Sequence, residues 1–127
     1  MVPRWLTRGV VDAIQEDQRQ QHGGYPGVLN EGSVESALAR PRNRFEYKKA
    51  DLWECAACYI VGLAKNHGYR DANKRTAYMS GWTFLFINGY RVDATPEDVI
   101  QLMLDVATGA KKEAAIAKWL RGRAAKA

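Results

Sequence analysis

A chain of 127 residues, 46% of them hydrophobic, can fill one core but not two, so a single domain over residues 1–127 is expected. The net charge of +5 fits an anionic nucleotide, an acidic protein partner or nucleic acid, and does not choose among them. No stretch approaches the roughly 20 apolar residues of a membrane span, and the first residues lack the apolar run of a signal peptide, so a soluble, cytoplasmic protein is expected.

In chain order, Leu6, Val10, Val11 and Ile14 predict a first helix, with Thr7 as its cap and Leu6 and Val11 as a staple across its start. Gly23 and Gly24 close it, leaving His22 as a surface residue without assigned chemistry. Pro26 and Gly27 mark a turn, and Ser33 to Ala39 suffices for a short helix with Val34, Ala37 and Leu38 inward. Arg40 to Lys49 contains Pro41 and five cationic side chains, and on composition it reads as an irregular, solvated connection. Asp51 to Asn66 is helical, with Leu52, Ala56, Tyr59, Ile60 and Leu63 at helical spacing. Cys55 and Cys58 form C-x-x-C inside it, and without a second cysteine pair they read as small buried residues.

The nine residues His67-Gly68-Tyr69-Arg70-Asp71-Ala72-Asn73-Lys74-Arg75 follow, between two apolar helices. The second helix is expected to start close to Asp71, where unpaired N–H groups and the positive dipole end favour an anion. Taken singly, Asp71 serves as an N-cap, His67 as a helix end, and Asn73 and Arg75 as solvated first-turn residues. Taken together they ask for more, because Lys74 and Arg75 oppose the dipole and a bound anion accounts for them. If that anion is a polyphosphate, His67 suits a general base, Asp71 a magnesium ligand, and Asn73, Lys74 and Arg75 the phosphate oxygens. Tyr69 reads as the apolar peg of the loop, with a hydroxyl that needs a partner.

Beyond this loop, Ala77 to Ile87 is apolar almost all round and belongs at the centre of a bundle. Thr95-Pro96-Glu97-Asp98 starts the next helix, with Val99, Leu102, Met103 and Val106 inward and Gly109 at its end. A last helix from Lys111 or Lys112 buries Ile116, Trp119 and Leu120, and Arg121 to Ala127 is expected to fray. The result is a compact all-α bundle. No zinc finger, RNP motif or aromatic-rich basic stripe is present, so a direct nucleic-acid interface is not expected.

The run HGYRDANKR resembles the signature of the Fic/Doc (Fido) superfamily. Its Fic branch reads HPF-x-[D/E]-G-N-G-R-x-x-R and its Doc branch, the death-on-curing toxins, H-x-F-x-[D/N]-A-N-K-R. The similarity is to Doc, and it extends from Gly23-Gly24-Tyr25-Pro26-Gly27 through Phe45-Glu46-Tyr47 to Asn88-Gly89 and Ala107-Thr108-Gly109. Lys74 stands where Fic proteins have glycine, Tyr78 where they have a second arginine, and Tyr69 departs from the phenylalanine of both branches.

The resemblance implies a Fido fold and a toxin acting as a protein kinase. It would use ATP and Mg2+ to phosphorylate a hydroxyl of a target protein, expected to be elongation factor Tu, and so arrest translation. His67 matches the catalytic histidine, Asp71 the metal ligand, and Asn73, Lys74 and Arg75 the phosphate site. Phe45, Glu46 and Tyr47 fall where the family has a flap that docks an extended stretch of the target. The self-inhibitory [S/T]-x-x-x-E-[G/N] motif is absent from the chain, so a separate antitoxin, inserting a helical segment into a surface groove, is the expected brake. An AMP transferase on the same fold and an inactive basic binding protein are the alternatives.

Overall fold

The computed structural model describes residues 2–127. Six helices make up most of it: α1 (Arg8–His22), α2 (Glu31–Lys48), α3 (Leu52–Asn66), α4 (Asn73–Ile87), α5 (Pro96–Thr108) and α6 (Glu113–Gly122). Two short strands, β1 (Tyr90–Val92) and β2 (Ala124–Lys126), pair antiparallel, with Arg91 opposite Ala125. The all-α fold read from the sequence is the one observed. No helix among the described residues is long and apolar enough to cross a membrane.

The most enclosed element is α3. Six consecutive residues, Cys55 to Ile60, are fully buried, so this helix is covered on every side by α2, α4 and α6. Its small side chains permit that, because alanine, cysteine and glycine let neighbouring backbones come close. A Cβ on Gly81 of α4 would lie 2.6 Å from Cγ1 of the buried Ile60, and one on Gly62 would lie 3.3 Å from Cβ of Ala37 in α2. Asp51 and Glu54 form a reciprocal capping box at the start of α3, and Thr95 and Asp98 do the same for α5. Thr7 accepts from the Val10 N–H as expected, and Leu6 and Val11 are buried together in the core.

Expectations fail in α2, at the flap and in the tail, each for a physical reason. The short helix of Ser33 to Ala39 is the middle of an 18-residue helix capped by Asn30, and Arg40 to Lys48 continues it. Proline removes one helical N–H, a cost that tertiary packing outweighs here. Pro41 is itself buried against α3, its carbonyl accepts from the Cys55 thiol at 3.7 Å, and Arg40 and Arg44, one turn apart, both reach Glu113 of α6 at 2.5 and 2.7 Å. Phe45, Glu46 and Tyr47 are therefore helical; Phe45 packs edge-on against Trp5 and Tyr47 is exposed. Strand addition needs free backbone groups, and a helix interior has none, so the docking flap is not found at these three residues.

The tail does not fray through Arg121 to Ala127. Residues 124–126 form β2, and flanking bonds from the Asp93 N–H to the Arg123 carbonyl and from the Ala127 N–H to the Gly89 carbonyl, both 3.0 Å, extend the pairing. Arg123 also lies over the Trp119 ring at 4.2 Å. Composition gave no hint of this, because Ala-Ala-Lys has little strand preference.

Burial pushes the Cys55 thiol up to about 12 and the Cys58 thiol up to about 11. Both thiols are favoured as the neutral form, so their contribution to stability is complete below the ordinary cysteine value and is lost as pH rises through those values. Native protein at pH 8 should resist iodoacetamide at both positions and react once unfolded in urea; rapid labelling of the native chain would contradict the packing described. Gly81→Ala should lower stability by about 1–3 kcal/mol in a urea titration, through overpacking against Ile60.

Candidate active site

The loop between α3 and α4 is built by local backbone choices and then fixed by α1. His67 ends α3 in the left-handed region (φ 48°), with its side chain exposed at the surface. Gly68 must be glycine, because a Cβ there would sit 2.4 Å from Cγ2 of Val34. Its carbonyl accepts from the Leu29 and Asn30 N–H groups at 2.8 and 3.0 Å, the Arg70 N–H donates to the Gly27 carbonyl at 3.1 Å, and Val28 bridges Tyr69. The segment lying beside the loop is thus the irregular stretch Gly23 to Asn30, upstream of Phe45 to Tyr47.

Tyr69 is the buried peg, only 3% exposed, and its hydroxyl donates to Oδ1 of Asp12 at 2.6 Å. Asp12 in turn pairs with Arg8 at 2.9 Å, and Arg8 reaches Glu31 at 2.6 Å and Glu35 at 3.3 Å. Burial first, and then the Asp12 carboxylate, raise the Tyr69 hydroxyl well above the ordinary tyrosine value, so it stays a neutral donor. The hydrogen bonds to Glu31 and Asp12 hold the Arg8 guanidinium firmly protonated.

Asp71 is gripped twice. The buried amide of Gln15 donates to its carbonyl at 3.2 Å, and the Tyr25 N–H donates to its Oδ2 at 2.9 Å. Gly24, at φ 122°, passes so close that a Cβ there would lie 2.8 Å from Cβ of Asp71. Asp71 is not the N-cap. Ala72 takes that position in the left-handed region (φ 64°) and offers no side-chain bond, so the first N–H groups of α4 have no capping side chain.

Asn73 makes a reciprocal pair with the Tyr69 backbone, accepting from its N–H at 3.1 Å and donating to its carbonyl at 2.9 Å. This leaves one amide hydrogen for a ligand, fewer than a side chain devoted wholly to phosphate would offer. Arg75 donates to the Gln18 carbonyl at 3.1 Å and the Gly23 carbonyl at 3.2 Å, closing the end of α1. Lys74 is exposed beside it.

His67, Asp71, Ala72, Asn73, Lys74 and Arg75 line one shallow cavity of about 280 Å³. The expected base His67, the expected metal ligand Asp71 and the three expected phosphate ligands Asn73, Lys74 and Arg75 therefore line one cavity, and Phe45, Glu46 and Tyr47 do not. Among the described residues no three His, Cys, Asp or Glu converge to hold a metal unaided. Magnesium commonly takes one or two carboxylates and fills its shell with phosphate oxygens and water, and Oδ1 of Asp71, which has no partner among the described residues, meets that requirement.

Asp12, Gln15, Gln18 and the Tyr25 backbone escaped sequence reasoning. The available signal was polar spacing: Asp12, Gln15 and Gln18 recur every three residues on a helix, and Gln15 and Gln18 are buried like its apolar Val11, though less completely. Val10, one of the four apolar residues that predict α1, is exposed.

An α-helical bundle whose two central helices are joined by a histidine-led, cation-ended loop is the arrangement the sequence motif implied. The chain belongs to the Fic/DOC family, which it matches over residues 5–85. It is 36% identical to the protein kinase Doc of Escherichia phage P1 over 110 residues, 86% of each chain. It is also 39% identical to the toxin Doc of Mycolicibacterium smegmatis over 109 residues, 83% of this chain and 84% of that one.

Gln15→Leu should cost about 1–3 kcal/mol, because it strands the Asp71 carbonyl without its buried donor. The same change should speed amide exchange across residues 70–73. Tyr69→Phe should cost less, about 0.5–1.5 kcal/mol, since Asp12 keeps Arg8 as a partner. Equal losses from the two variants in denaturant titrations would show that the Asp71 contact is not the principal restraint.

Proposed function

We propose that this chain is the toxin of a toxin–antitoxin pair and acts as a protein kinase, transferring the γ-phosphate of ATP to a hydroxyl of a target protein. The observation that carries this reading is the shared lining of one cavity by His67, Asp71 and the cationic start of α4. The naming of similar chains as a protein kinase and as a toxin supports it.

In this reading, the phosphate chain lies against the open N–H groups of α4, with Lys74 and Arg75 neutralising its charge and the remaining amide hydrogen of Asn73 donating to it. His67 accepts the proton of the acceptor hydroxyl as that oxygen bonds to the γ-phosphorus, and the bond to the β-phosphate oxygen breaks, leaving ADP. Its exposed place at the end of α3 suits a base that must meet a large protein substrate. Magnesium, bound through the free oxygen of Asp71, would withdraw charge from the phosphate oxygens.

The Gly23 to Asn30 segment, bridged to Tyr69 and joined to Asp71 through Tyr25, is the better candidate for guiding the target than α2. Elongation factor Tu remains the proposed target, with arrest of translation as the outcome. A separate antitoxin, docking a helical segment in a surface groove, is the proposed brake.

The deciding experiment supplies ATP labelled at either the α- or the γ-phosphate, with purified elongation factor Tu, to the chain and to its His67→Ala variant. Label should pass to the target from the γ-position alone, and the variant should be slower by about 10²–10⁴-fold, the usual worth of a positioned base. Label from the α-position would make the chain an AMP transferase instead. Absence of any histidine-dependent label would remove the enzymatic reading for this target.

A further inference from the structure

A second cationic hollow lies between α2, α3 and the start of α6. Its volume is about 420 Å³, and it shares no lining residue with the cavity at His67. Arg40 and Arg44 enter it from α2, Lys65 from α3 and Lys112 from the position that precedes α6, while Val61 and Ala114 supply an apolar wall. The two carboxylates that line it are already engaged. Glu113 gives one oxygen to each guanidinium, at 2.5 Å to Arg40 and 2.7 Å to Arg44, and Glu54 accepts from the Asp51 N–H at 3.0 Å within the capping box of α3. Lys65 and Lys112 are exposed, and neither has a carboxylate within ion-pair distance among the described residues. The excess positive charge of the hollow therefore sits on these two lysines.

Stability alone does not select a lysine at position 112. It stands at the N-cap of α6 and makes no side-chain capping bond, where serine, threonine or aspartate would accept from the first N–H groups. Its charge also opposes the positive end of the helix dipole. The neighbouring Lys111 escapes the same conflict by reaching Asp105 at 2.8 Å, and Lys112 has no such outlet. A local rule broken without a gain inside the protein points to a gain outside it.

We propose that this hollow is a docking site for an acidic segment of a second protein, whose Glu or Asp side chains enter between Lys65 and Lys112. Their methylene stems lie on Val61 and Ala114, and their carboxylates meet the two ammonium groups and the uncapped N–H groups of α6. Glu113 holds Arg40 and Arg44 in place, and each guanidinium keeps further donors for the incoming carboxylates. The apolar wall and the arrangement of the cations choose the partner. A bare phosphate has no stem to lay on Val61 and Ala114, and a nucleic-acid strand is matched by cations spread along a track, whereas these converge from three helices on one hollow. The site is independent of the activity read at His67.

The test titrates hexaglutamate, blocked at both ends, into the full chain at low salt and follows the backbone amides by NMR. The amides of Ala114 and Ala115 should shift, and the double variant Lys65→Gln, Lys112→Gln should bind about tenfold more weakly, as the loss of two exposed ion pairs implies. Lys118→Gln with Lys126→Gln removes the same charge from exposed positions outside the hollow and should change affinity by less than about twofold. Lys112→Ser, which supplies the missing cap, should raise the melting temperature while weakening the peptide, a trade that a purely structural lysine would not show. Equal weakening by the two double variants, or unchanged peptide affinity in Lys112→Ser, overturns the proposal. So do shifts at residues 73–75 in place of 114–115, which would move the peptide to the motif loop. Tighter binding of oligothymidylate through the same amides would make the hollow a nucleic-acid site, and no binding of hexaglutamate at low salt would leave it without its partner; either result also overturns the proposal.

Discussion

The grip of α1 on the loop between α3 and α4 is the constraint on which the site depends. That loop holds two residues other than glycine, His67 and Ala72, in the left-handed region, each at a cost of roughly 1–2 kcal/mol relative to ordinary backbone. Such a conformation persists only where the surroundings impose it. Three side chains or carbonyls of α1 do so at three-residue spacing: Asp12 takes the Tyr69 hydroxyl, Gln15 supports the Asp71 carbonyl, and the Gln18 carbonyl receives Arg75. Histidine, carboxylate and cations thus share one rigid reference, although they belong to the end of one helix, a loop and the start of another.

Close packing in the core serves the same end. Because α3 is enclosed on all sides and α4 approaches it through Gly81, the relative position of the two helix ends is set by fully buried atoms rather than by the loop itself. The loop then needs only to span a fixed gap. Glu113 adds a further restraint, joining α6 to Arg40 and Arg44 of α2.

What could be read from the sequence was whatever is local. The caps of α1 and α5, the helical periodicity of α3 and the grouping of His67, Asp71, Lys74 and Arg75 all follow from residues within a few positions of one another. Long-range contacts were not legible. The continuation of α2 through Pro41 depends on Cys55 and Glu113, and the pairing of residues 124–126 depends on β1, more than thirty positions upstream. The tyrosine at position 69 posed a question the sequence could frame but not answer: a buried hydroxyl needed a partner, and Asp12 was 57 residues away.

The two adjacent cations at the start of α4 are not electrically equivalent. Arg75 lies on the carbonyls of Gln18 and Gly23, at the negative end of the α1 dipole, so part of its field is already compensated within the protein. Lys74 projects into solvent without such compensation. Of the two, Lys74 therefore contributes the larger share of the potential felt at a distance. It is also the more exposed of the two to mobile ions, which at physiological ionic strength weaken it over a distance of about 8 Å. On the proposed phosphate-binding role, Lys74 would govern capture, sensitive to salt, and Arg75 orientation.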